Sequence, residues 1–149
     1  MERKQDSHKG ENGKVAVIGG SKEFTGAPAL SAQAALRTGV DLTKIVTSEE
    51  VSDTVASFSE NLIVEAYPSD FLGPSGVEDV LETVRWSDAT VIGPGLGNPD
   101  PEAVEEIVER VDVPLVVDAD AIKPALSANI SDAIFTPHQG EKELIEEEY

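Results

Sequence analysis

Short apolar runs recur along the chain, and stretches with helical spacing of apolar residues lie between them. The runs at 14–18, 41–47, 61–67, 89–92, 114–117 and 133–135 predict six strands. Between them, 27–38 is alanine-rich with Pro28 in its first turn and Gly39 as its stop, so it predicts a helix. An acidic helix is expected to begin near Ser48, and another covers 75–85. At 101–111 the apolar residues Val104, Ile107, Val108 and Val111 fall on one helical face. Further helices are predicted at 121–127 and, strongly acidic, at 140–148, while the polar residues 1–13 read as an extended arm or loop. Strand and helix alternate from end to end without internal repeat. That order predicts an α/β domain with a mostly parallel central sheet and right-handed crossovers.

Composition narrows the function classes. A chain of 149 residues, 40% of them apolar, is one domain (1–149) long enough to bury a core. It has no cysteine, which excludes disulfide and thiolate chemistry, and its two histidines, without an HExxH pair, argue against zinc. No run is long enough to span a membrane and the polar start does not resemble a signal peptide, so a soluble cytoplasmic protein is expected. The net charge of −18 opposes contact with nucleic acid or an anionic membrane surface, because phosphates are held by Lys and Arg. Two explanations of that charge compete: an acidic interaction protein, or a salt-rich cytoplasm in which screening relieves self-repulsion. The acids are spread over the predicted helices and leave the apolar pattern intact, which favours a halophilic source.

GxGxxG between strand and helix, GxxxxGK[ST] and GxSxG are all absent, so dinucleotide-fold, P-loop and hydrolase signatures fail. What remains is a set of loops at strand ends. Gly19-Gly20-Ser21 and Thr25-Gly26-Ala27-Pro28 open the first helix, either as an ordinary strand-to-helix loop or as an anion site. Gly93-Pro94-Gly95-Leu96-Gly97 carries more glycine than a simple turn requires, which allows a ligand close to bare backbone. Asp118 and Asp120 would share one side of an extended chain, Asp120 as the cap of the next helix and Asp118 free for a metal or a polar ligand. His138 sits at a strand end in Thr-Pro-His-Gln-Gly-Glu, suited to hydrogen bonding or to a phosphate or metal site, while Glu141 equally suits the first turn of the last helix.

In order, Ser-His-Lys-Gly at 7–10, Val-Ile-Gly-Gly-Ser at 17–21, Thr-Gly-Ala-Pro at 25–28, Gly-Pro-Gly-Leu-Gly at 93–97, Val-Asp-Ala-Asp-Ala at 117–121 and Thr-Pro-His-x-Gly-Glu at 136–141 resemble the ADP/ATP-dependent NAD(P)H-hydrate dehydratases. The resemblance implies a ribokinase-like three-layer α/β fold with a mostly parallel central sheet, C-terminally incomplete here. It implies a small-molecule substrate, S-NAD(P)H hydrate, repaired by phosphorylation of its ring hydroxyl and loss of phosphate. ADP (in archaea and bacteria) or ATP would serve with Mg²⁺ as cofactors. By motif, Ala27, Gly97 and His138 would contact the hydrated cofactor, Gly26 and Gly95 would shape the same pocket, and Glu141 would be the acidic member of the Mg²⁺/phosphate region. Phe24 and Lys123 depart from the family's usual tyrosine and asparagine.

The family pattern continues with a nucleotide-binding loop and a Gly-Thr-Gly-Asp motif bearing the catalytic aspartate. No such motif occurs in this sequence. The resemblance therefore implies the N-terminal half of a domain, with no catalytic residue of its own and little turnover alone. Implied partners are a complementing C-terminal fragment, an epimerase domain, or other copies in a homo-oligomer. Two alternatives stay open: another small-molecule kinase of the ribokinase superfamily, and a non-catalytic nucleotide-binding half-domain.

Overall fold

The computed structural model describes residues 8 and 10–148. Residues 1–7, including Ser7, together with Lys9 and Tyr149, lie outside the described residues, and with them most of the expected N-terminal arm. The strands are β1 (Lys14–Ile18), β2 (Leu42–Ser48), β3 (Ile63–Tyr67), β4 (Ala89–Ile92), β5 (Leu115–Val117) and β6 (Ile134–Phe135). They form one six-stranded sheet in the order β3-β2-β1-β4-β5-β6, and every pairing is parallel. The helices are α1 (Gly26–Thr38), α2 (Ser52–Ala56), α3 (Val77–Trp86), α4 (Pro101–Arg110), α5 (Ile122–Ser127) and α6 (Gln139–Glu148). From β1 the chain winds outward to β3, then returns to β4 and winds the other way. The reversal lies between β1 and β4, the place where doubly wound sheets open a crevice beyond their carboxyl ends.

Alternation along the strands divides the core into two layers. Ala16, Ile18, Val46, Tyr67, Ile92 and Val117 face α3, α4 and α5 in the larger layer. Val17 and Ile45 face Ala29 and Ala32 of α1, Val51 just before α2 and Val55 within it in the smaller. The alanines of α1 let its backbone lie close to the sheet, and Gly39 ends it in the left-handed region at φ 109. In α4, Asp100 caps the Glu102 and Ala103 amides, Pro101 occupies the first turn, and Ala103, Val104, Ile107 and Val108 are buried. Each fully buried Val or Ile contributes roughly 1.5–3 kcal/mol, so an Ile107→Ala cavity would remove a large share of the domain's stability.

Three predicted helices differ in form, the one expected at 75–85 beginning as a 3₁₀ turn over Pro74–Gly76 before α3. The acidic segment after β2 is a 3₁₀ turn (Glu49–Val51) followed by the five-residue α2, because Ser48 Oγ accepts from the Glu50 amide and sets a tight first turn. The predicted 121–127 helix likewise starts as a 3₁₀ turn over Ala119–Ala121. No helix among the described residues is long and apolar enough to cross a membrane.

Candidate functional site

The carboxyl ends of β1, β4, β5 and β6 are tied to one another by backbone hydrogen bonds past the strands. Gly93 donates to Ile18 O, Asp118 to Ile92 O, Thr136 to Val117 O, and Gly20 to Pro94 O, at 2.9–3.1 Å. This contact explains the glycines. A Cβ on Gly93, at φ +124, would lie 1.7 Å from the Asp118 carbonyl oxygen, and one on Gly19 would lie 2.2 Å from that of Pro94. At Gly95, φ +71, it would meet the Phe24 carbonyl at 2.7 Å and the Ala27 Cβ at 3.0 Å. The space that a side chain at 93 or 95 would need is occupied by Asp118 and Ala121 and by Phe24 and Ala27. Gly26 differs: nothing lies within 4 Å of an added Cβ, so the mouth of α1 is open.

The paired aspartates depart from expectation. The chain leaves the extended form at Ala119, whose φ is +46, so strand alternation no longer relates the two carboxylates. Asp120 does not cap the following helix; its Oδ2 accepts from the Gly97 amide at 2.9 Å. Asp118 Oδ1 accepts from Thr136 Oγ1 at 2.6 Å, joining the ends of β5 and β6.

His138 and Glu141 form a reciprocal cap on α6. The Nδ1 of His138 accepts from the Gly140 and Glu141 amides at 3.0 and 3.3 Å, while Glu141 Oε2 accepts from the His138 amide at 2.8 Å. An accepting Nδ1 places the neutral ring's proton on Nε2. The His138 side chain is 73% exposed and that of Glu141 20%, with 3.5 Å between Nε2 and Oε1. The first-turn role foreseen for Glu141 is therefore real in the geometry.

Two hollows flank the Gly97-Asn98-Pro99 segment. The smaller, about 330 Å³, lies between that segment and α5 and α6, and its lining includes Asp120, Lys123, Glu141 and Ile145. The larger, about 770 Å³, is lined by Ser21, Lys22, the half-exposed rings of Phe24 and Phe71, and Glu50 and Asp70. Each hollow holds one cation. Lys22 is paired with Glu50 at 2.8 Å, which holds its ammonium above its ordinary pKa, whereas Lys123 has no ion pair among the described residues. The structure thus brings Gly95 to Ala27 and Gly97 and Glu141 to one hollow. Ala27, Gly26, Gly95 and His138 line neither. No cluster of three or more acidic or histidine side chains suited to a metal occurs among the described residues.

Residues 15–147 match the family described as NAD(P)H-hydrate dehydratase. The chain belongs to this family. Among relatives of the NAD(P)H-hydrate dehydratase family, the ADP-dependent (S)-NAD(P)H-hydrate dehydratase of Natrialba magadii is 43% identical over 93% of this chain and 54% of its own length. That of Haloterrigena turkmenica is 41% identical over the same shares. The solved ADP/ATP-dependent NAD(P)H-hydrate dehydratase of Bacillus subtilis, co-crystallized with ATP/Mg²⁺, is 27% identical with a TM-score of 0.67 over 95% of this chain and 50% of its own. The chain spans about half the length of these relatives. Helices on both faces of a parallel sheet agree with the ribokinase-like fold that the motifs imply.

The placements of Asp120, Ser21 and Phe71 at the site were not foreseen from the sequence, although Asp120 and Ser21 lie in motifs that it singles out. Asp120 acts on Gly97 twenty-three positions away, and Ser21 lies under Gly97 with its Oγ buried and without a partner. Phe71 belongs to a loop whose Leu72 carbonyl accepts from the Asp100 amide at 2.7 Å. All three are long-range pairings between loops, which no local spacing encodes.

Proposed function

We propose that the chain is the substrate-facing half of an ADP-dependent dehydratase that returns S-hydrated NADH or NADPH to the reduced cofactor. The observation that carries this reading is the meeting of the strand-end loops at the sheet's reversal point, with Gly97 and Glu141 on one hollow and Gly95 seated on Ala27. The hydrated nicotinamide nucleotide would lie along Ala27, Gly97 and the exposed ring of His138, with Gly26 and Gly95 shaping the wall. Lys123 supplies a cation for an anionic group of the ligand.

Magnesium takes one or two carboxylates and fills its remaining positions with water and phosphate oxygens. Glu141, the glutamate lining the smaller hollow, fits that requirement as the protein's ligand once its contact with His138 loosens. A Mg²⁺-nucleotide would supply the phosphoryl group that turns the ring hydroxyl into a leaving group. The acidic surface suits a salt-rich cytoplasm.

The test is titration of the purified chain with S-hydrated NADH in molar salt, beside an ADP-dependent assay for NADH. Binding without appreciable turnover is expected, with His138→Asn weakening binding. Rapid ADP-dependent turnover by the chain alone, or the absence of any binding, would overturn the proposal.

A further inference from the structure

Two half-exposed phenyl rings, Phe24 and Phe71, line the larger hollow, and the backbones that carry them are held fast. The Phe24 amide donates to Ser21 O at 3.1 Å, and the Phe24 carbonyl and Cβ fill the space that a side chain on Gly95 would need. Phe71 is pinned as well. Its carbonyl accepts from Ser69 Oγ at 2.6 Å, and that of the fully buried Leu72 beside it accepts from the Asp100 amide at 2.7 Å. Gly73 leaves room for the ring itself, since an added Cβ there would lie 3.2 Å from Phe71 Cε2. Rings left half in water on loops held this firmly give a cavity preformed aromatic walls.

The charges around this hollow are one-sided. Among the described residues, Glu23, Glu50, Asp70 and Asp100 line it against a single cation, Lys22. Lys22 is committed to Glu50 at 2.8 Å, and Asp100 accepts from the first amides of α4. A phosphate monoester carries close to two negative charges at neutral pH and would meet repulsion here. A hydroxyl would not, because a carboxylate can accept its hydrogen bond. At about 770 Å³ the hollow has room for a nucleoside, and its neighbour, at about 330 Å³, for one ring system more. Gly97 lines both, so one extended ligand can reach from the first into the second.

We propose that the larger hollow receives the adenosine end of the hydrated cofactor, its purine lying on the rings of Phe24 and Phe71, and that the surrounding carboxylates favour NADH hydrate over NADPH hydrate. The adenosine 2′-hydroxyl of the first can donate to Glu50 or Asp70, whereas the 2′-phosphate of the second is repelled by both. Aromatic faces suit a purine because stacking asks for no particular hydrogen-bond partner. The smaller hollow, with Glu141 on its wall, is left for the hydrated ring. This subsite rests on the reading of the ligand as a hydrated nicotinamide nucleotide.

ADP-ribose and its 2′-phosphate carry the adenosine end without the nicotinamide ring, and both can be titrated calorimetrically into the purified chain in molar salt. ADP-ribose should bind about tenfold more tightly than its 2′-phosphate, and Glu50→Gln, which removes a carboxylate and frees Lys22, should narrow that gap. Phe71→Ala should weaken ADP-ribose by about tenfold, Phe71→Leu nearly as much, and Phe71→Tyr hardly at all. Phe58→Ala, at a half-exposed ring outside the hollow, should leave binding unchanged. Circular dichroism checks that each variant is folded; Phe71→Leu, which keeps the apolar bulk without the ring face, decides if Phe71→Ala is not. Equal affinity for the two probes would overturn the proposal, as would ADP-ribose binding indifferent to Phe71→Leu. Failure to bind ADP-ribose would overturn it too, and if hydrated NADH still binds, the dehydratase reading survives. Phe71-dependent binding of ADP-ribose by a chain that ignores hydrated NADH would instead remove that reading and keep the adenosine subsite.

Discussion

The Asp120 carboxylate accepts a hydrogen bond from the Gly97 amide at 2.9 Å, and so clamps the last residue of the glycine turn to the start of α5. Gly97, at φ +75, lines both hollows. Asp120→Ala should therefore lower stability by about 1 kcal/mol, and Asp120→Asn, which keeps an accepting oxygen, by less. Hydrogen exchange at Gly97 is the direct measurement: acceleration in the alanine variant and little change in the asparagine variant. If Gly97 lines the ligand, the alanine variant also binds S-hydrated NADH more weakly than its stability loss explains.

The glycines separate into two kinds. Gly93→Ala forces a Cβ to within 1.7 Å of the Asp118 carbonyl at φ +124, so it should cost about 4 kcal/mol or leave the chain unfolded. Gly26→Ala meets open space and should change stability by no more than about 0.5 kcal/mol. Chemical denaturation of both variants checks the contrast. A Gly26→Ala chain that is stable but binds ligand poorly would assign that opening to the substrate.

Most of this architecture is legible in the sequence because its elements are locally determined. The strand at 14–18 is reproduced residue for residue, and Gly39 ends α1 as its position predicts. Pro101 and the spacing of Val104, Ile107 and Val108 likewise locate α4. The misreadings lie where a distant partner decides. Asp120 looks like a helix cap by position, but its partner comes from another strand's loop. At Gly93 and Gly95 the missing side chain lets Asp118 and Ala121, and Phe24 and Ala27, approach closely, a packing between loops that local sequence does not show. Glu141 is legible as a helix acid because it lies in the first turn of α6.

His138 joins a structural and a chemical role that mutation can split. His138→Ala removes the acceptor for the Gly140 and Glu141 amides and should cost about 1 kcal/mol through fraying of α6. His138→Asn restores a capping oxygen but not the Nε2–H. The asparagine variant should keep wild-type helicity by circular dichroism and still lose affinity for the hydrated cofactor. Equal affinity for the wild-type and asparagine chains would confine His138 to capping.

Tyr67 gives the fold an alkaline limit. Its hydroxyl is buried without a hydrogen-bond partner, and burial pushes its pKa from 10.0 up to about 12. The unfolded chain therefore releases this proton first as pH rises. The stability tied to the neutral phenol is complete below pH 10.0 and is lost as pH climbs through about 12. Tyr67→Phe removes a hydroxyl that lost its water on burial, so it should stabilise the chain at neutral pH by about 1 kcal/mol. It should also flatten the decline above pH 10.0, read from urea midpoints on both sides of that value.

Salt acts on this chain through two opposed effects. Screening weakens the exposed pairs of Arg110 with Glu78 and Glu106, both 2.7 Å, and of Lys22 with Glu50. It also relieves the mutual repulsion of a surface carrying −18. Exposed pairs contribute little individually, whereas the repulsion involves every excess acid on the surface. The Debye length falls from about 10 Å at 0.1 M to about 3 Å at 1 M, so relief of repulsion should prevail. Thermal midpoints are expected to rise steadily with potassium chloride over that range, and more steeply than for a variant in which Glu102, Glu106 and Glu109 on the exposed side of α4 are replaced by glutamine. A midpoint that falls with salt would mean that the ion pairs, and not the net charge, govern this surface.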